Sequence, residues 1–484
     1  MKQRRMQTWV VLLMAAVALD LAGCGGGGGG GGGVAGRPGV NVTRVGGGVQ
    51  GLGGGFGASH PALSQDGRYV AFEADFTNLV VGDTNNVADI FVFDQFAKTT
   101  ARVSVPDGFA PGAQGNSDST EPAITPDGRY VAFNSNATNL IAAPADTNLA
   151  SDVYVRDTNP LNPRTVRMSV GDGVPGTQGN SNSFIAGNAI AIDNTVNIGN
   201  VLVAFYSSAT NLFPALDNNG STHVYLRSCS ADFLTCTTVP VDTNGAQQAD
   251  GGSLDPSVSN NGKYVVYTSD ATNLVAGDTN GSADIFVFNR QTGQNVRVSV
   301  DNNGAQANGD STLASISATG RYVVFTSAAT NLVPGLVDNN AATDVFLHDR
   351  DVSGSGVFDT PGNISTIRVS VGAAAAQGNG ASNTPIFPVL GISDDGKSVV
   401  YETLATNFDS FGDTNAVTDV YLYDTVAKTT SRLSVSGSGA EANNFSIEVT
   451  ISGNGKAVSY SSLASNLVAG DTNALSDVFV VTLP

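Results

Sequence analysis

Six segments of this chain carry oxygen-bearing side chains at one fixed spacing, Asp-x-Asn-x-x-x-Asp. They are Asp83, Asn85 and Asp89; Asp146, Asn148 and Asp152; Asp278, Asn280 and Asp284; Asp338, Asn340 and Asp344; Asp413, Asn415 and Asp419; and Asp471, Asn473 and Asp477. A seventh reads Asp217, Asn219 and His223. Oxygen ligands at positions 1, 3 and 7 match part of a calcium loop. The match is incomplete, since position 5 holds Val87, Ala150, Ser221, Ser282, Ala342, Val417 or Leu475 and no glutamate follows at position 12. The competing reading is an Asx turn, in which Asp and Asn side chains bond the loop's own backbone ahead of a strand. Charge keeps calcium in play, because these aspartates crowd one face of a protein of net charge −19, and divalent ions relieve such repulsion. An asparagine upstream of each loop (Asn78, Asn139, Asn211, Asn273, Asn331, Asn407, Asn466) offers a further oxygen. His223 in place of aspartate predicts a weak or unused third loop.

The elements that must position these loops are short and repeated. Clear copies of one unit begin at Gly67, Gly128, Gly262, Gly320, Gly396 and Gly455, and a degenerate copy runs from Val201 to Phe205. In the first copy, strand-like runs cover 61–64, 68–73, 89–93 and 101–105. Turns such as Gln65-Asp66-Gly67 link the first two, with glycine free to take positive φ. Tyr69-Val70-Ala71-Phe72 and Ile90-Phe91-Val92-Phe93 are apolar at every position, which requires both sheet faces to be buried, as when blades stack around an axis. With 58 glycines among 484 residues and 13% charged residues, the chain reads as all-β. The last unit stops at Pro484 without a fourth strand, while Val42-Thr43-Arg44-Val45 has the fourth-strand pattern and no unit of its own. The expected fold is a seven-bladed β-propeller of four-stranded antiparallel blades, closed by an N-terminal strand that completes the last blade.

Ser64-Gln65-Asp66-Gly67-Arg68-Tyr69-Val70-Ala71-Phe72 and its counterparts at 125–133 and 259–267 resemble the TolB-type propeller repeat. The resemblance spans about residues 40 to 484 and implies a propeller used chiefly for protein binding. TolB itself has six blades and an N-terminal α/β domain, so its role in the envelope-spanning Tol system is not carried over.

In such a ring the first strands line the axis, and His60, Glu121, Asp255 and Glu448 stand just ahead of them. Convergence there would hold a metal or poise a base for a hydrolase or lactonase using His60, Glu121 and Glu448; the plainer reading is a wet channel mouth. The chain has only five glutamates, at 73, 121, 402, 441 and 448, and its histidines lie in separate blades, with His348 expected at the surface. No Gly-x-Ser-x-Gly or His-Glu-x-x-His motif occurs. Fourth-strand arginines (Arg44, Arg102, Arg167, Arg297, Arg368, Arg432) are expected to pair across the hairpin with Asp94, Asp157, Asp349 and Asp424. The acidic balance argues against a nucleic-acid partner.

The N-terminus carries Lys2, Arg4 and Arg5, an apolar run from Trp9 to Ala18, then Leu21-Ala22-Gly23-Cys24. It reads as a secretory signal over 1–23, and its ending resembles the lipobox of bacterial lipoproteins, which makes Cys24 the lipidated residue. Residues 24–39, with Gly25 to Gly33, form a flexible tether, and 40–484 the propeller. Cys229 and Cys236 are expected to form a disulfide in an oxidising compartment. The resulting expectation is a monomeric, membrane-anchored lipoprotein at the outer membrane or periplasmic face. It acts as a non-enzymatic scaffold for a protein or glycan partner, with calcium as its one candidate cofactor.

Overall fold

The computed structural model describes residues 39–484 except 47–55, 109–112, 174–175, 196, 198, 215, 217–218, 246 and 384–388. The signal, Cys24, nearly all of the tether and Asp217 therefore lie outside the described residues. Seven antiparallel sheets form a ring. Blade one is built from Ala58–Leu63, Tyr69–Ala74, Asp89–Asp94 and Thr99–Arg102, in that spatial order. Blades three and six depart at the axis. The first strand of blade three is split into Ser183–Phe184 and Ile190–Ile192, and that of blade six is reduced to Gly391–Ile392.

Burial explains why the centres of second and third strands are apolar on both faces. Val70, Ala71, Phe72, Ile90 and Phe91 have no accessible surface, because each face of the sheet packs on a neighbouring blade. One aromatic pair bridges these two strands in every blade: Phe72–Phe91, Phe133–Tyr154, Phe205–Tyr225, Tyr267–Phe286, Phe325–Phe346, Tyr401–Tyr421 and Tyr460–Phe479, at centroid separations of 5.5 to 6.5 Å. Such pairs add about 0.5–1.5 kcal/mol each beyond the area they bury. The turn glycines serve a second purpose between blades. A Cβ on Gly128, which has φ 74°, would sit 2.2 Å from a ring carbon of Tyr69 in the preceding blade, so only glycine admits that tyrosine.

Closure is as expected. Asn41–Arg44 pairs antiparallel with the last strand, Asp477–Thr482, with Asn41 opposite Thr482 and Arg44 opposite Phe479. Cys229 and Cys236 face each other across the third hairpin of blade three and are joined by a disulfide.

Deleting residues 40–45 strips the fourth strand from blade seven and bares the edge of Asp477–Thr482. The melting temperature, followed by calorimetry, is expected to fall by on the order of 10 °C. A truncated protein that melts like its parent would rule out this mode of closure.

Candidate functional site

Two groups of polar side chains share the face formed by the loops between second and third strands. The first is the repeated loop. In blade one Asp89 opens the third strand and is wholly buried. Ser104 donates to its Oδ1, Asn85 Nδ2 donates to its Oδ2 at 2.9 Å, and Arg102 Nη1 lies 3.2 Å from Asp89 and 3.0 Å from Asp83. A guanidinium thus sits between the first and last acids of the loop. The arrangement recurs with Arg167 at 3.8 and 3.1 Å from Asp146 and Asp152, and Arg297 at 3.3 and 3.4 Å from Asp278 and Asp284. In blade seven Arg44 stands 3.1 and 3.0 Å from Asp471 and Asp477. Arg368 reaches Asp344 at 3.1 Å, and Arg432 reaches Asp419 at 2.9 Å.

The expected pairing of these arginines with Asp94, Asp157, Asp349 and Asp424 is therefore corrected. Register is the reason: Arg102 lies opposite Phe91, two residues from Asp89, whereas Asp94 is at the far end of the strand opposite Thr99. Asp94, Asp157 and Asp349 are held instead by Arg68, Arg129 and Arg321, each one residue ahead of the adjacent second strand, at 2.7 to 2.8 Å. Asp424 accepts the backbone N–H groups of Val426 and Ala427.

The loops are also Asx turns. Asn148, Asn280, Asn340, Asn415 and Asn473 each accept the N–H of the residue two further on. The upstream asparagines staple adjoining loops together: Asn139 accepts from Asn116 N–H and donates to the Gln114 carbonyl. In blade three His223 Nδ1 lies 2.8 Å from Asp242 and Nε2 lies 2.8 Å from Asn219. Pro240 occupies the arginine's register position, opposite Tyr225. Blade three thus pairs a histidine with an acid two residues beyond the fourth strand, where blade one has Ser104, and has no arginine at the register position.

Sequence reasoning passed over one recurrent partner. Gln178, Gln306 and Gln377 donate to the first aspartates of their loops at 2.7, 3.1 and 2.6 Å, and Gln114 accepts from Arg102 at 3.0 Å. Its signal was the Ala-Gln or Thr-Gln that recurs after the fourth strands of blades one, two, four and five. Burial pushes Asp89, Asp152, Asp284 and Asp344 upward while the serine and arginine donors pull them back; Asp419 and Asp477 are left at about 6.

The second group rings the axis. His60, Glu121, Asp255 and Glu448 lie within the first strands, not ahead of them, at β-bulges where φ is +50 to +59°. A bulge in the left-handed region turns the backbone N–H towards the preceding blade. His60 N–H is accepted there by Glu448 at 2.7 Å, Glu121 N–H by Glu73 at 3.2 Å and Glu448 N–H by Glu402 at 3.1 Å. Glu73 and Glu402, which sequence reasoning left outside the site, belong to it. The His60 ring lies between Glu73, 3.2 Å from Nδ1, and Glu448, 3.3 Å from Nε2. Asn134 donates to Glu121 at 2.7 Å. Asp255 shares the ring without a hydrogen bond to the other three among the described residues.

Burial raises Glu121 to about 7 and Asp255 to about 6, and holds Glu402 well above the usual carboxylate range. The same burial opposes charge on His60, but Glu448, Glu73 and Glu121 outweigh it and raise the imidazole to about 10. At neutral pH His60 is a cation between carboxylates, an internal counter-ion. His348 is not a surface residue: it is buried, paired with Thr366 Oγ1 at 2.8 Å, and pushed down to about 4 chiefly by burial. The third strand on which it lies has both faces covered.

No family model matches the chain, and no curated protein matches it. Among solved structures it is similar to oligogalacturonate lyase from Vibrio parahaemolyticus, with a TM-score of 0.47 and 11% identity over 92% of this chain and 94% of that one. It is similar also to the β-propeller domain of the trilobed protease from Pyrococcus furiosus, with a TM-score of 0.46 and 10% identity over 88% and 95%. TolB from Acinetobacter baumannii matches with a TM-score of 0.34 and 14% identity over 86% and 81%. The ring of seven antiparallel sheets is a seven-bladed β-propeller. Likeness at these identities bears on the fold alone.

Two outcomes follow from the buried charges. Arg102→Leu strands Asp83 and Asp89 and is expected to cost about 3–5 kcal/mol in urea unfolding, whereas Arg129→Leu at the more exposed pair costs less than about 1 kcal/mol. For the ring, a raised histidine contributes stability that is complete below its unfolded value of 6.5 and lost as pH climbs through about 10. Raised Glu121 gives the complementary loss between 4.5 and about 7. Unfolding free energy should thus fall in two steps from pH 5 to pH 11, and His60→Gln should abolish the alkaline step. An unchanged alkaline limb in that variant would refute the assignment.

Proposed function

We propose that this protein is a lipid-anchored scaffold of the bacterial cell envelope that binds a protein or glycan partner on its loop face without catalysing a reaction. The observation that carries this reading is how the loops are held. Six arginines fix them from within, and their charges are spent on buried aspartates. What remains for solvent includes exposed apolar side chains on the same loops, among them Val81, Leu149, Val337 and Phe411. A loop already ordered by internal bonds loses little entropy on binding, which favours recognition.

Anchoring rests on Cys24 at the end of Leu-Ala-Gly-Cys and on the glycine tether behind it. About 16 Gly-rich residues span on the order of 20 Å, enough for the propeller to swing as a monomer beside a membrane. No helix among the described residues is long and apolar enough to cross one. The formal charge of −19 disfavours nucleic acid as partner. A second reading, a hydrolase or lactonase at the channel mouth, draws support from Glu121 alone, whose value of about 7 suits proton transfer.

Tagged protein incubated with envelope extract is expected to retain a partner that the triple variant Val81→Asp, Leu149→Asp, Phe411→Asp releases. Cys24→Ala should move the protein from the membrane to the soluble fraction. Retention indifferent to the triple variant would sink the loop-face reading, and unchanged fractionation of the cysteine variant would remove the anchor.

A further inference from the structure

Blade six differs from its sisters at two positions of the arginine-centred pocket. Where Gln114, Gln178, Gln306 and Gln377 stand in blades one, two, four and five, blade six has Glu441. Two residues after the upstream asparagine, where blades one and four carry Val80 and Val275, it has Asp409. Both added carboxylates turn inward. Asp409 lies 3.4 Å from Arg432 Nε, and Glu441 contacts Arg432 Nη1. Arg432 therefore faces four carboxylates, Asp409, Asp413, Asp419 and Glu441, where Arg102 and Arg297 each face two. Two aspartates with one arginine leave a formal charge of −1; four acids with one arginine leave −3.

One guanidinium cannot serve all four. The Asp413 side chain has 0% exposure, yet its Oδ2 has no hydrogen-bond partner and stands 3.8 Å from Arg432 Nη2. This is a fully buried carboxylate oxygen aimed into a cluster of other carboxylates, at a cost that burial without a partner makes severe. Ligand oxygens of Asp413, Asp419 and Glu441 all lie within 4.8 Å of one another. Oxygens each about 2.4 Å from a single calcium ion are separated by at most about 4.8 Å, so the three meet the pairwise spacing that a shared ion requires.

We propose that blade six, alone among the described loops, holds one calcium ion between Asp413, Asp419 and Glu441, with Asp409 beside it and Arg432 Nη1 giving up its place between Asp419 and Glu441. The ion brings the pocket from −3 to −1, the charge that the sister pockets reach with arginine alone. All-carboxylate oxygen ligands select a hard cation, and oxygens already held by bonds to Thr414, Ala416 and Ser434 suit calcium, which accepts varied geometry, over magnesium, which demands a near-ideal octahedron. Glu441, 15% exposed, is the side through which the ion enters. Calcium, raised for all six loops as the alternative to Asx turns, is proposed here for one of them, and this site is independent of whether the loop face binds a partner.

The test is isothermal titration of chelator-stripped full-length protein with calcium chloride and with magnesium chloride, paired with thermal melts. One calcium per chain is expected, with a rise in melting temperature that magnesium does not match. Glu441→Gln installs the side chain that the sister blades already tolerate, so it should fold normally while losing the calcium heat and the thermal shift. Asp278→Asn in blade four should keep both. Absence of calcium binding in the wild type would overturn the proposal, as would several ions per chain or a response that survives Glu441→Gln.

Discussion

A sheet whose two central strands are apolar on both faces has no side to present to water. Each blade here needs a neighbour on either flank, and that neighbour needs another, so the only arrangement that leaves no exposed face is a closed ring. The aromatic pair in every blade and the glycine that admits the preceding blade's tyrosine both follow from this demand. So does the closing strand Asn41–Arg44, since a three-stranded seventh blade would leave the last strand's edge open. Stability in such a ring is shared along its circumference, each blade contributing one interface to the next.

Packing of this density makes polar groups at the strand ends costly, and the molecule resolves the cost by internal pairing. At the start of third strands the pairing is aspartate with arginine. At the axis it is glutamate with the N–H of a bulged neighbour, and His60 with two glutamates. Blade three shows that the solution is a matter of charge more than of residue type, for His223 with Asp242 replaces aspartate with arginine in the same space. The pairs also tie one blade to the next, because the glutamates that accept the bulge N–H groups come from the blade before.

What was legible in the chain was what repeats. The number of blades, the closing strand and the Asx turns all announce themselves as residue types at fixed spacing, because a strand's period and a turn's chemistry are local properties. Partners set by register were not legible: nothing local tells Arg102 that Asp89 is nearer than Asp94. The bulges were hidden for another reason, since His60, Glu121, Asp255 and Glu448 adopt the left-handed region without being glycine. Missing the bulges, sequence reasoning placed those residues ahead of their strands and overlooked Glu73 and Glu402. His348 looked like a strand end and lies in the interior, because the polarity of one residue cannot outweigh two covered faces. Asp409 and Glu441 become visible as exceptions only when the copies are compared with one another.

The register of the closing strand also decides which way the molecule looks. Asn41 lies opposite Thr482 and Arg44 opposite Phe479, while Asp477 begins the same strand beside the clamped loops. The chain therefore enters the ring at the outer rim of blade seven from the side of the Asp-Gly turns, with the loop face on the far side. The N-terminal segment thus joins the propeller on the turn side, and the loops lie on the opposite face.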